Sequence, residues 1–529
     1  MKRKPWAMAI IYVIASLAVE AVFIVVGRLK VPQDNAILAP IVLTIPPLLV
    51  AWTCGYRRPK ELILVAVSLS LMTLGLTAVA GKLTGVSTGM LEPIINRTLA
   101  GFLVGLIAVR KFAPAETPAT VKQWNWRYVL IVLGALGVLV VFALWAGGRA
   151  EANFQAGALG QLRRDAGDVR YRKLVPAGER LANGIYDPSI AYTPDDRTGW
   201  LAYSSVTGGF KPIGEFVHTH LARSTDSGAS WEFVKVLNAS TNGVLTLPGG
   251  QSLPGVWRYE VPTLVCDATD PDANRRWKLF VHKYFWAPKR DRMVTYGWIA
   301  LRTAADPAGE WSAEVPLFGA GASPLAPYHQ TRVDLNALDG SLRKAIAYSE
   351  PGALAHEGRL YLSLTALTPQ DFGVGHTIVL LASDDHARSW RFVSTLLTRD
   401  DARALGGEFF DGSALAEDNG RFFVLAVPML RKGRMEVHQG TAAFEFESLA
   451  EGRLRRDAKH TPVVAAYFAP QPSIFSVVGA GQSAYHSANV NGGLIFPQFN
   501  LKAYPEAFQI FSTGRRIVTG DRSGLAHQK

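Results

Sequence analysis

Cysteine is nearly missing from this chain: 529 residues carry two, Cys54 and Cys266. That excludes a disulfide framework, so stability has to come from apolar burial. Cys266, in a strand-like run, is expected to be a buried thiol acting as a small hydrophobe. The apolar runs lack the paired carboxylates and His clusters that a pump or carrier needs, and no contiguous calcium loop of the EF-hand type is present. Most of the chain also lacks an excess of either charge. The net charge of +12 divides unevenly, because the first 150 residues hold 15 Lys/Arg against 5 Asp/Glu, which leaves 40 against 38 for the remainder. A part so close to neutrality argues against nucleic acid as a partner.

The first 150 residues are dominated by apolar runs. Five of them, at 6–27, 36–54, 62–80, 94–109 and 128–147, approach the roughly 20 residues that a bilayer span requires. The basic groups Lys2, Arg3 and Lys4, then Arg57, Arg58 and Lys60, then Arg110, Lys111, Lys122 and Arg127, fall on alternate sides. The positive-inside rule then puts the N-terminus in the cytoplasm and everything after Gly147 outside. The expectation is a multi-pass α-helical membrane domain of five helices over 1–149, in an inner or plasma membrane with bilayer lipid as partner. A linker over 150–168 and a periplasmic or extracellular domain over 169–529 follow.

Beyond residue 169 the texture is all-β: short runs of Val, Ile, Tyr, Phe and Leu separated by Gly, Pro, Asp and Asn, with no long helical period. Five times a polar step opens a short apolar run, a turn and a second strand. The openings are at Tyr186-Asp187-Pro188, Tyr259-Glu260-Val261-Pro262, Ser349-Glu350-Pro351, Phe410-Asp411-Gly412 and Tyr485-His486-Ser487. Their spacing suits four-stranded propeller blades. Five blades are counted, and a sixth could lie between Phe318 and Ala345. Residues 169–175 are expected to supply the outer strand of the last blade.

Two tight turns punctuate the repeats, Ser224-Thr225-Asp226-Ser227-Gly228-Ala229-Ser230-Trp231 and Ser383-Asp384-Asp385-His386-Ala387-Arg388-Ser389-Trp390. Asp and Ser can bond turn amides, Gly supplies a positive φ, and Trp buries a large ring beside the turn. The pattern resembles the Asp-box, or BNR repeat, of sialidases and related β-propellers. That resemblance implies a sialidase-like β-propeller in which the box staples the hairpin between strands 3 and 4 of a blade, away from the chemistry.

The inner strand of every propeller blade runs along the axis, so the residues opening it encircle one mouth of the funnel. Here they are Asp187, Glu260, Glu350, Asp411 and His486. Crowded carboxylates raise one another's pKa, and a protonated carboxyl beside an ionised one is what glycosidic cleavage uses, although Asp and Glu before Pro or Gly are also ordinary turn residues. Where sialidases carry an Arg-Ile-Pro step, this chain has Glu260-Val261-Pro262, and a Glu there would repel sialic acid. Asp187-Pro188, with acids opening the next two blades, is similar to the five-bladed furanosidase-type glycosidases. That resemblance implies Asp187 as base, Glu260 as pKa modulator and Glu350 as acid. Trp257, Arg258, Tyr284, Trp286, His329 and His486 could add stacking or polar contacts to a sugar, and a Ca²⁺ ion could sit among the acids. The expected function is a membrane-anchored glycoside hydrolase acting on an envelope or extracellular glycan. Asp187 and Glu350 are expected to face each other across the funnel, at the wider separation that goes with inversion. The alternative is a non-catalytic propeller that binds glycan or protein.

Overall fold

Runs of Val, Leu, Tyr and Phe bounded by Gly, Asp and Pro are too short for long helices and pair with the next run along the chain. In the computed structural model they do so repeatedly, as antiparallel blades. The structure describes residues 152–518 apart from 166–171, 209–214, 248–249, 288–289, 322–330, 371–372, 433–434, 470–480, 491–492, 501–502 and 504.

Helix α1 (Ala158–Asp165) comes first. Phe154 just before it and Leu159 within it are fully buried in a core shared with Leu405 and Phe444, so the stretch expected as a linker contains a docked helix. Strand β1 (Arg172–Leu174) follows. Blade 1 is β2 (Gly184–Tyr192), β3 (Gly199–Thr207), β4 (Phe216–Ser224) and β5 (Glu232–Asn238). A hairpin strand, β6 (Thr241–Thr246), leads into blade 2, which is β7 (Ser252–Cys266), β8 (Trp277–Ala287), β9 (Arg290–Ala304) and β10 (Val315–Gly319), with β11 (Val333–Asp334) added in parallel. Blade 3 is β12 (Ala347–His356), β13 (Arg359–Gln370), β14 (Gly373–Ser383) and β15 (Arg391–Leu397), and α2 (Arg399–Ala404) follows it. Blade 4 is β16 (Phe409–Asp418), β17 (Arg421–Lys432) and β19 (Thr441–Ser448), with β18 (Met435–His438) between the last two in the chain, and β20 (Arg453–Leu454) and β21 (Val464–Phe468) on the outer side. Blade 5 is β22 (Ala484–Tyr485), β23 (Leu494–Phe499) and β24 (Phe508–Ser512).

The fourth strand of blade 5 is β1, which pairs with β24 in the register Arg172 to Ser512. First and last strands thus share one blade, and a parallel contact of Gly184 with Phe508 joins it to blade 1. Closure of this kind leaves the inner strand edges short and turned to the axis, where they are protected. Five buried clusters fill the gaps between neighbouring blades, for example Phe280, Leu301 and Trp390 between blades 2 and 3. Strands packed on both faces need no polar alternation, and all nine residues of β2 are buried. Between Phe318 and Ala345 the described residues hold β11 and two 3₁₀ turns, Leu335–Ala337 and Gly340–Leu342, in place of a sixth blade.

The expected multi-pass membrane architecture is corrected here. The described residues are dominated by strands, and no helix among them is long and apolar enough to cross a membrane. The five apolar runs lie outside the described residues. The localisation as a multi-pass membrane protein rested on those runs alone and goes with them: a hydropathy window counts apolar residues without showing that a helix forms.

The two boxes share one geometry. Ser224 Oγ donates to Asp226 Oδ1 at 2.7 Å and accepts from Gly228 N at 2.8 Å, while Ser230 N donates to Asp226 Oδ1 at 2.9 Å. The corresponding distances at Ser383, Asp385, Ala387 and Ser389 are 2.8, 2.9 and 2.7 Å. Ala387 keeps a φ of 68° where the first turn uses glycine. Both turns join strands 3 and 4 of their blades. A third, missed by pattern, joins β9 to β10, where Ala308 N donates to Asp306 Oδ1 at 2.9 Å beside buried Trp311.

The second box also locks blade 3 to blade 2. His386 Nδ1 lies 2.9 Å from Asp267 Oδ2, and the fully buried Lys278 Nζ sits 3.0 Å from Asp267 and 2.9 Å from Asp270. Replacing Lys278 by Met leaves two buried carboxylates without their cation, which costs about 3–5 kcal/mol. Equilibrium unfolding of Lys278→Met should show a loss of that size, and a variant within about 1 kcal/mol of the parent would refute the lock.

Candidate active site

Each inner strand must bend where it meets the other four at the axis, and the bend is a β-bulge at the same step in four blades. Register breaks between Tyr186 and Ser189, Glu260 and Thr263, Ser349 and Gly352, and Asp411 and Ala414. The first bulged residue has positive φ: 47° at Asp187, 53° at Val261, 54° at Glu350 and 57° at Gly412. A bulge re-aims the side chains around it. The four acids are therefore not equivalent, as the sequence pattern had suggested. Asp187 and Glu350 occupy the bulge itself, whereas Glu260 and Asp411 stand one residue earlier.

Contacts between blades bring the four together. Tyr186 and Tyr284 hydroxyls donate to the two oxygens of Glu260. Ser204 Oγ lies 3.5 Å from Asp187 Oδ2 and accepts from Val261 N at 3.1 Å. Gly412 N donates to Glu350 Oε2, with Thr365 Oγ1 at 3.4 Å, and the Glu350 carboxyl hydrogen-bonds to Asp411. Asp411 in turn lies 3.2 Å from Nδ1 of buried His376.

Gln482 closes the ring from blade 5. Its N–H donates to Asp187 Oδ1 at 2.9 Å, and its side-chain amide donates to Pro351 O at 3.1 Å. Gly481 makes this approach possible: its φ is 119°, and a Cβ there would stand 2.0 Å from Asp187 Oδ1. Below the acids the axis encloses a cavity of about 20 Å³ lined by Ser189, Thr263, Gly352, Ala414 and Gln482, room for about one water and far too little for a sugar. Chemistry at this site belongs to the mouth.

The surroundings push the carboxyls apart. Burial, then the negative charge of Glu260, holds Asp187 well above the usual carboxylate range, against the opposing hydrogen bond from Gln482. Burial, then the charge of Asp411 and the hydrogen bond to it, does the same to Glu350. At Asp411 burial is the largest single influence and works upward, but His376, the hydrogen bond with Glu350 and His438 together outweigh it and the carboxyl is held well below its ordinary range. A protonated acid beside a fixed carboxylate is the arrangement that proton transfer to a leaving group needs.

The other expected site residues are scattered. Arg258, Tyr284 and Trp286 share the face of Glu260, since they pair within the same β7–β8 register. Arg258 is buried, its guanidinium 4.2 Å from the Trp286 ring centroid and its Nε 2.9 Å from Glu215 O. Trp257 points to the opposite face, edge-on to Phe285 at 5.1 Å, and so is removed from the acids. His486 is removed as well. Its ring packs 4.5 Å from Tyr192, which ends β2 roughly 15 Å along the strand from Asp187. His329 lies outside the described residues. Sequence reasoning missed Tyr186, His376 and Gln482; Tyr186 was legible as the neighbour of Asp187, whereas no local pattern singles out the other two.

The donor set does not fit Ca²⁺ among the acids, because their oxygens meet tyrosine hydroxyls, backbone N–H groups and an imidazole rather than further oxygen ligands. Asp267, Asp270 and His386 each bring one ligand atom within 4.8 Å of the others, but the ammonium of Lys278 already supplies the cation there.

No protein-family model matches the chain, and no curated protein does. Among solved structures it is similar to the catalytic domain of a family 62 α-L-arabinofuranosidase from Coprinopsis cinerea, with 11% identity over 65% of this chain and 96% of that one at a TM-score of 0.37. It is also similar to a family 117 glycoside hydrolase from Zobellia galactanivorans, with 13% identity over 66% and 92% at 0.39. An arabinanase from Bacillus subtilis gives 11% over 64% and 95% at 0.36. Likeness at this level carries no activity across.

A raised carboxyl pKa has a stability consequence. Between the ordinary Asp value of about 3.9 and its higher folded value, Asp187 holds a proton that the unfolded chain has released, so stability falls as pH rises through that window. Asp187→Asn removes the titration and keeps an acceptor for Gln482 N–H. Its melting temperature should exceed the parent's at pH 7, with the gap closing towards pH 4; an equal gap at both pH values would contradict the assignment.

Proposed function

We propose that the propeller is a glycoside hydrolase that cleaves a glycosidic bond at the funnel mouth by general acid–base catalysis. Glu350 serves as the acid and Asp187 as the base that activates water, while Glu260 and Asp411 set the local charge. The observation that supports this best is the Glu350–Asp411 carboxyl pair, one member buried beside a negative neighbour and the other beside an imidazole. Glu260, both of whose oxygens accept tyrosine hydroxyls, sits next to Asp187 as a fixed charge rather than a proton carrier. Arg258, Tyr284 and Trp286, on the face of Glu260, are the candidates for contact with the sugar. Domain limits of 169–529 for the propeller belong to the same proposal.

The second reading is a propeller that binds a glycan or protein without cleaving it. It is favoured by the 2% exposure of Asp187, which limits the access of water to the base.

Turnover separates the two. A panel of 4-nitrophenyl furanosides and pyranosides should contain a substrate whose kcat/KM rises with pH as Asp187 ionises. Asp187→Asn and Glu350→Gln should each lower that activity by about 10²–10⁴-fold without unfolding the domain. NMR of the first-formed product should show inversion at the anomeric carbon. Full turnover by both variants would end the enzyme reading and leave the binding propeller.

A further inference from the structure

Two carboxyls that share one proton do not decide by themselves which of them carries it. The reaction requires the proton on Glu350, so the pair needs an asymmetric neighbour. The structure supplies one from a different blade. His376 lies on β14, the third strand of blade 3, opposite Leu367 in the ladder with β13. Its ring is 6% exposed and packs against Phe409 at 4.5 Å, and its Nδ1 lies 3.2 Å from Asp411 Oδ1 across the gap between blades 3 and 4.

We infer that His376 is a positioning residue for the reaction: as an imidazolium against Asp411, it fixes Asp411 as the ionised partner and thereby assigns the shared proton to Glu350. The inference rests on the acid role proposed for Glu350. The other titratable groups that act on the pair are Asp187 from β2 and His438 from β18, whereas Thr365 and Gly412, which also contact Glu350, carry no charge. Asp187 opposes loss of the Glu350 proton, and His438 adds to the effect of His376 on Asp411. Of the charged groups around Asp411, His376 acts on it most strongly, with its Nδ1 3.2 Å away.

Carboxyl-labelled aspartate and glutamate, with signals assigned through Asp411→Asn and Glu350→Gln, allow the proton to be located by ¹³C NMR without any turnover. In the unmodified protein Glu350 should be protonated at neutral pH and Asp411 ionised. His376→Gln should move the Asp411 titration up by about 1–3 pH units, and His376→Lys, which restores a cation, should return most of that shift. With the sugar found by the 4-nitrophenyl panel, His376→Gln should lower kcat/KM by about tenfold or more on the 4-methylumbelliferyl glycoside but by less than about twofold on the 2,4-dinitrophenyl glycoside, whose leaving group needs no proton. An ionised Glu350 at neutral pH in the unmodified protein overturns the inference even if both His376 variants misfold. So does an unmoved Asp411 titration in His376→Gln, or an equal loss on both glycosides. If no glycoside is hydrolysed but the titrations move as expected, the hydrolase reading fails and the proton assignment stands.

Discussion

Five inner strands have to share one axis, and there is no room on it. At the crossing the chain places Ser189, Thr263, Gly352, Ala414 and Ser483, all small or β-branched. A Cβ on Gly352 would stand 2.5 Å from Ala414 Cα, so the approach is set by backbone contact and not by side chains. Strands that close cannot continue straight, and four of them answer with a bulge one step earlier. The acids occupy or adjoin those bulges. Steric crowding on the axis and the placing of carboxylates at the mouth are thus two outcomes of the same constraint, with positive φ at Asp187 and Glu350 as its local cost.

Two buried clusters show how differently this fold treats charge. Lys278, Asp267, Asp270 and His386 satisfy one another, and they hold blade 2 against blade 3. The carboxyls at the mouth are not balanced in that way. Asp187 and Glu350 are shifted upward by burial and by like charge, while His376 acts on Asp411. A cluster built only for stability would be neutralised like the first. The second keeps proton affinities far apart, at a cost in stability at neutral pH.

Ring closure ties the two together. Because β1 completes blade 5 through its ladder with β24, and blade 5 supplies Gln482 to Asp187, the position of Asp187 depends on contacts 295 residues away in the chain. Helix α1 adds a further attachment, where Arg163 Nη1 meets Gln439 Oε1 at 3.1 Å.

Local rules made much of this legible. The second strands of all five blades and the hydrogen bonds of the two boxes follow from short apolar runs, turn residues and fixed spacing, because each depends on neighbours a few residues away, whereas the outer strand β1 was expected from the need to close the ring and pairs with β24 at the far end of the chain. The acids opening the blades could be picked out for the same reason, since Asp187, Glu350 and Asp411 directly precede a Pro or Gly and Glu260 stands two residues before Pro262. What the linear pattern could not give was their register: Glu260 and Asp411 fall one residue before the bulge, a shift that appears only when the partner strand is paired. Nor could it find His376 and Gln482, whose roles come from other blades, or show that His486 and Trp257 point elsewhere. Composition and periodicity by themselves determined which segments become strands and where they turn, because strand propensity and turn chemistry are local. Only the tertiary structure decided which carboxyls are shifted upward and which downward, because that depends on charges a few ångströms away in space and on different blades.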